Sequence, residues 1–289
     1  MKLSKEKRKY FTDAKMVLGK YNIATPEETV EKIAKDHVSI ARFGDGEFDM
    51  IYKVGMNYQK YNAKLAKRLE EIVQSQDEGI IIGLPNAINL EFCEKYTGFA
   101  TEFWPNWIEK YKFKLVRLLK RNRQYYSTQI TRFYLDYADK SNTAEYVKKL
   151  KKIWDGRDVI IIEGEQSRLG IGNDLFDNMK SIQRVICPSE NAFEIYDRIY
   201  NEVTKLDKNK LILLALGPTA TVLAYDMAKA GYQAVDIGHV DIEYEWFLRK
   251  ATKKIKIEHK YVTEVKEGRE NIENINDKKY EDEIIMKIL

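Results

Sequence analysis

The feature that most constrains this chain is a set of short, uninterrupted apolar runs set between helical patterns and glycine-bearing loops. In the second half they are DVIIIEGE, QRVICP, KLILLALG and QAVDIG; in the first half, HVSIARF and GIIIGLP. A short run with no polar alternation is a strand covered on both faces. Strands that alternate with helices build a parallel sheet with helices on both of its faces. The sequence therefore predicts an α/β fold with a mostly parallel sheet. Such sheets bind ligands in the crevice outside the carboxyl ends of their strands.

The helical segments fall between these runs. Thr25 is a natural N-cap for a helix opening Pro26-Glu27-Glu28. NAKLAKRLEEIVQSQ, residues 101–121, residues 142–154 and NAFEIYDRIYNEV carry apolar positions at helical spacing. PTATVLAYDMAKAGY has Pro218 in its first turn and Gly231 just past its end. YYSTQITRFYL is β-branched and aromatic, which predicts a strand. The expected organisation is one domain over residues 1–289. Its core spans about 36–266, helices occupy 1–35, and a polar tail covers 267–289 with a short amphipathic end, DEIIMKIL. Whether that end docks on the core or on a partner is open, and so is a homo-oligomer. Trp104 and Trp107 read as core or a subunit contact, with a sugar-stacking platform as the sharper alternative.

Composition excludes several classes. A formal charge of +4 against 49 basic and 45 acidic residues gives no concentrated basic field, so nucleic acid is not an expected partner. The basic run MKLSKEKRKY reads as a solvated helix end, with a weak attraction to an anionic surface as the sharper alternative. No segment approaches a membrane span, and no signal peptide is expected. Cys93 and Cys187 lack metal-site spacing and read as buried free thiols in a reducing compartment, which points to the cytoplasm.

The residues just past each strand are unusually rich in Gly, Arg, Ser, Thr and acids. Arg42 leads into Gly44-Asp45-Gly46-Glu47. If that stretch is extended, Asp45 and Glu47 point the same way and suit a hard cation; a tight turn with solvated acids is the plainer reading. Arg132 sits in the aromatic run. Arg42 and Arg132 are either phosphate ligands or structural ion partners. After VIII come Gly164, Ser167, Arg168, Gly170, Gly172 and Asn173, a second cradle whose arginine suits a phosphate. Gly217, Pro218, Thr219 and Thr221 open a helix whose free N–H groups suit an anion or serve as an ordinary cap. His239 precedes Asp241, Glu243 and Glu245, the two glutamates suiting the first turn of a helix. His37 and His259 read as structural or surface residues. Neither GxGxxG nor GxxxxGK[ST] is present, which argues against NAD and P-loop chemistry.

The stretches RFGDGEF, TRFYLDY, SRLGIGNDLFDN, NAFEIYD, LALGPTATVLAYDMAKAGYQAVDIGHVDIEYEW and KYVTEV together resemble the GT-D-type bacterial glycosyltransferase domain, over about Arg42 to Val265. The resemblance implies a Rossmann-like α/β fold and transfer of a sugar, glucose first among candidates, from a UDP-sugar to a glycan or glycoprotein acceptor. It implies a divalent metal, Mn²⁺ or Mg²⁺, at the DxE of Asp45 and Glu47, and functional roles for His239 and Glu245. On this expectation Glu245 is the base and His239 the second candidate, with inversion at the anomeric carbon. Arg168 and the GPTAT helix start share charge on the leaving nucleotide, and Asn173 and Asp241 lie with them at the binding site. The rival expectations are a phosphosugar isomerase or hydrolase, and a non-catalytic binding module on the same fold.

Overall fold

A computed structural model describes residues 13–270 and 272–289. The expectation for MKLSKEKRKY lies outside the described residues. Among the described residues the chain builds a nine-stranded sheet in which every strand pairing is parallel, in the order β1-β4-β3-β2-β8-β7-β5-β6-β9. The strands are β1 (Asn22–Ile23), β2 (Ser39–Arg42), β3 (Ile80–Leu84), β4 (Gln124–Ser127), β5 (Asp158–Gly164), β6 (Ser181–Cys187), β7 (Leu211–Ala215), β8 (Ala234–Asp236) and β9 (Ile284–Lys287). The helices packed around the sheet include α1 (Pro26–Asp36), α2 (Asp45–Ile51), α3 (Ala63–Gln74), α4 (Ala100–Leu118), α5 (Thr143–Lys151), α6 (Tyr196–Val203), α7 (Pro218–Lys229), α8 (Val240–Leu248) and α9 (Lys278–Glu283).

Alternate strand residues feed opposite layers. Ile81, Val159, Ile161, Leu211 and Leu213 pack with α1, α5 and α8 on one face. Ile80, Ile82, Ile160, Ile162, Ile212 and Leu214 pack on the other, against α3, α4, α6 and α7. Helix α7 joins the two cores of that second face, placing Val222 in one and Leu223 and Met227 in the other. This is why the runs are apolar throughout: period-two side chains meet a helix layer on either side.

The parallel α/β expectation holds, with three local corrections. The GDGE stretch is the first turn of α2, not an extended turn, because Gly44 caps it and its N–H donates to Glu47 Oε2 at 2.7 Å. YYSTQITRFYL is a strand only to Ser127; the Ser127 hydroxyl accepts from Gln129 N–H at 3.0 Å and turns the chain into a 3₁₀ segment, Thr128–Thr131. The end of the tail docks on the core. It supplies α9 and the edge strand β9, which pairs with β6, so the sheet extends past residues 36–266 at both ends.

Candidate active site

The carboxyl ends of β2, β5, β7 and β8 open on one cavity of about 900 Å³. Its wall at α2 carries Asp45 and Glu47. Helix geometry separates residues two apart by roughly 200°, so they do not project in parallel as an extended strand would. Both nevertheless line the cavity, since it wraps around the helix start. Burial raises the Asp45 carboxyl, against the pull of Arg132. Burial likewise pushes Glu47 up to about 7, with the charges of Asp236 and Asp45 adding to it and the Gly44 N–H opposing. In both groups burial disfavours the charged form more than the neighbouring donors and cations favour it.

The same cavity holds a charged group centred on Glu264. Glu264 Oε1 lies 2.6 Å from Arg132 Nη2 and 3.2 Å from His239 Nε2. The Arg132 contact is an ion pair, whereas the His239 contact becomes one only when the ring is protonated. Burial first, then the Arg132 charge, lowers His239 to about 3, so the imidazole is neutral at physiological pH. Burial alone would raise Glu264, but its contact with His239 and the charges of Arg132 and Lys254 outweigh it and hold the carboxyl well below its usual range. His239 occupies the left-handed region (φ 75) at the N-cap of α8, which turns the chain from β8 into the helix.

The glycines of the rim are spatial requirements. Gly217 has φ 54, and a Cβ there would come within 2.7 Å of the Tyr58 ring, so the position is closed to other residues twice over. A Cβ at Gly164 would sit 3.0 Å from Ser189 Cα. Gly44, Gly164, Ser167, Gly217 and Asp241 all line the cavity, as expected of rim residues.

Several expected ligands are turned to structural work. Arg42 reaches the cavity wall, but Nη1 donates to Thr128 O at 2.8 Å and Thr131 Oγ1 at 2.5 Å, and Nη2 to Asp236 Oδ1 at 3.0 Å and Gly238 O at 2.9 Å. It is the structural alternative that geometry selects. Arg168 is 6% exposed and its Nη1 donates to the carbonyls of His259 and Glu273, both at 2.7 Å, so it straps the C-terminal segment rather than facing the cavity. Pro218 and the Thr219 and Thr221 side chains are buried within the fold, with Thr221 Oγ1 donating to Arg42 O at 2.9 Å. Only Gly217 of that helix start reaches the cavity wall.

Glu245 lies outside the cavity lining. Its Oε1 accepts from Asn173 Nδ2 at 2.7 Å and lies 3.5 Å from Lys260 Nζ, and its Oε2 accepts from Arg249 Nε at 3.2 Å. Asn173 Nδ2 also donates to Asp241 Oδ1 at 2.8 Å, and Lys260 Nζ to Asp241 Oδ2 at 2.6 Å. This buried group ties the 170–173 loop to α8. Glu243 does not merely favour the helix dipole: its Oε1 accepts from the N–H groups of Tyr134 and Leu135 at 2.9 and 2.6 Å and shapes the loop behind Arg132.

Sequence reasoning missed Glu264, Lys254, Tyr58 and Asp236 as cavity residues. The first three lie in irregular segments rather than directly after a predicted strand, so the strand-end rule does not reach them. Burial pushes both cysteine thiols up to about 12, so neither is a ready nucleophile. Among the described residues, no helix is long and apolar enough to cross a membrane.

Comparison with known proteins converges on one family. The family model for the glycosyltransferase GT-D fold matches residues 40–265. Glycosyltransferase GlyD of Streptococcus pneumoniae serotype 4 (strain ATCC BAA-334 / TIGR4) is 39% identical over 264 residues, covering 91% of this chain and 32% of its own length. The probable glycosyl transferase Gly of Streptococcus gordonii is 39% identical over 282 residues, covering 94% and 41%. This chain therefore spans only about a third to two-fifths of those relatives. The solved structure of a glycosyltransferase (DUF1792) from Streptococcus sanguinis superposes with a TM-score of 0.88 at 37% identity, covering 93% of this chain and 100% of that one. A second, described as the highly conserved domain of unknown function 1792 with a distinct glycosyltransferase fold, gives 0.90 at 39% identity, covering 96% and 99%. With the sheet, the strand-end cavity and these matches agreeing, the chain belongs to the glycosyltransferase GT-D fold family.

Proposed function

We propose that this protein transfers a hexose, with glucose the first to test, from a UDP-sugar to a glycan or glycoprotein acceptor with inversion at the anomeric carbon. The observation that carries the reading is the pairing, in one cavity, of the buried Asp45–Glu47 wall with the Arg132–Glu264–His239 group.

Asp45 and Glu47 fit a divalent cation, Mn²⁺ or Mg²⁺. They are hard oxygen donors whose charged form burial disfavours. Among the described residues no three or more His, Cys, Asp or Glu side chains form a metal-holding group. That suits a cation which takes one or two carboxylates and fills its remaining positions with water and substrate phosphate. When bound, such a cation offsets the charge that grows on the leaving diphosphate. Arg132 adds a fixed positive charge at the same place. The glycines at 164, 217 and 238 admit the donor close to the backbone, because no side chain stands there.

His239 takes the role of base in this reading. It faces the cavity, is neutral, and has a carboxylate beside it to steady the imidazolium once a proton arrives. Burial first, then the Arg132 charge, keeps the ring neutral and free to accept a proton. Glu245 becomes a positioning residue that holds Asn173 and Lys260 behind α8. Two buried unpaired cysteines suit a cytoplasmic location.

The test is UDP release from a panel of UDP-hexoses with water as acceptor, in Mn²⁺ and in EDTA. Slow hydrolysis of one donor, lost in EDTA and in Asp45→Ala, is the expected result. No hydrolysis and no stabilisation by UDP, but stabilisation by a sugar phosphate, would replace the reading with a phosphosugar enzyme.

A further inference from the structure

The start of α4 presents an aromatic surface to the same cavity. Phe99 is 67% exposed, although it is a large apolar side chain. Its ring stacks on Phe103 with centroids 5.3 Å apart and planes 29° from parallel. Phe103 meets Trp104 edge-on at 5.2 Å, Trp104 meets Trp107 at 5.8 Å, and Trp107 lies 5.7 Å from Phe48. Phe48 sits on α2 between Glu47 and Asp49, and Trp107 Nε1 donates to Asp49 Oδ1 at 3.2 Å. The exposed ring is therefore the outer end of an aromatic chain that runs into the core and is braced on the helix bearing the DxE carboxylates. Phe99, Phe103 and Trp104 line the cavity together with Lys254, whose Nζ is 5.7 Å from the Phe99 centroid.

A single exposed phenyl ring needs no explanation, but an exposed stack continuous with a polar cavity forgoes burial at a place where a ligand can restore it. We propose that Phe99 and Phe103, flanked by Lys254, form the acceptor subsite and bind the apolar face of a pyranose ring of a saccharide acceptor. The proposal rests on the transferase reading above.

Three observations favour a saccharide acceptor over the donor. The donor's diphosphate is served by the charged wall and the glycine rim, which line the cavity with Gly164, Gly217 and Gly238. The aromatic surface lies at the exposed lip, where a glycan chain can continue into solvent. The volume of about 900 Å³ is near the upper end of the roughly 300–1,000 Å³ of a one-ligand pocket, which leaves room for a second substrate. A pyranose ring has C–H groups across its face and hydroxyls around its edge. The faces suit the negative quadrupole of a phenyl ring, and the hydroxyls suit Lys254 and Asp136, which line the same cavity.

The experiment separates the two half-reactions on the full chain. UDP-hexose hydrolysis in water reports the donor site. Transfer to p-nitrophenyl glucoside, galactoside and N-acetylglucosaminide reports the acceptor site, and saccharide-induced change in tryptophan fluorescence reports binding without turnover. Phe99→Ala and Phe103→Ala should raise acceptor KM about tenfold, abolish the fluorescence response and keep stabilisation by UDP, with Phe99→Trp restoring both acceptor readouts. The proposal is overturned if acceptor KM is unchanged, or if UDP stabilisation and hydrolysis fall in step with transfer, as a nucleotide-stacking role or loss of α4 would give. Absence of donor hydrolysis in the unaltered protein, with the saccharide fluorescence response intact, would instead remove the transferase reading. Absence of both would remove the proposal with it.

Discussion

At the scale of single residues, the site is a contest between burial and charge. His239 and Glu245 lie six positions apart, yet one faces the cavity and the other a buried tether. His239→Ala should lower transfer about 10²–10⁴-fold while stabilisation by UDP and Mn²⁺ survives. Glu245→Gln should keep kcat within tenfold and lower the melting temperature, because it disturbs Lys260 and Arg249. If Glu245→Gln abolishes transfer at unchanged stability, Glu245 is the base after all. Glu47 gives a stability signature. Its folded value of about 7 exceeds the ordinary 4.5, so the folded protein prefers the protonated form. The cost is absent below the unfolded value and grows as pH rises from there through 7. In EDTA, Glu47→Gln should therefore stabilise the protein at pH 8 by about 1–3 kcal/mol and change little at pH 4, read from paired thermal melts. Equal effects at both pH values would refute this account.

At the scale of elements, the decisive pieces are those that bring distant chain to the rim. Strand β9 and helix α9 are held through Arg184, which is 2% exposed, 2.6 Å from Glu163 and 2.7 Å from Glu283, with its guanidinium over Tyr280. Glu163 Oε2 in turn accepts from Leu169 N–H at 2.7 Å, so the tail is wired to the loop that carries Ser167. Arg184→Ala should destabilise by about 3–5 kcal/mol, because it strands a buried carboxylate, and Glu163→Gln in the same chain should recover part of that loss. Urea melts of the single and double variants check it; additive losses would mean the three groups do not act as a network. The helical turn at GDGE escapes sequence logic because two glycines weaken helix propensity. Capping by the Gly44–Glu47 contact and the packing of Phe48 and Met50 outweigh that penalty.

At the scale of the whole molecule, donor and metal should act as one ligand. UDP with Mn²⁺ should raise the melting temperature more than the sum of either alone, with a gain of about 2.7 kcal/mol at a hundredfold excess over Kd, and EDTA should cancel the excess. Equal shifts with and without the metal would separate the carboxylate wall from the nucleotide. What the sequence by itself determined is the α/β build, the strands that bury both faces, and the rim on which function sits. Those follow from local rules, since periodicity, caps and glycine placement act over a few residues. The tertiary structure decided which rim residues face the cavity and which turn inward. It made Arg42, Arg168 and Glu245 into ties, and it brought Glu264, Lys254 and Tyr58 into the site from irregular chain. The physical reason is that a side chain's task depends on the partners it meets, and those partners come from residues tens to hundreds of positions away, as Arg42 meeting Asp236 and Arg168 meeting Glu273 make plain.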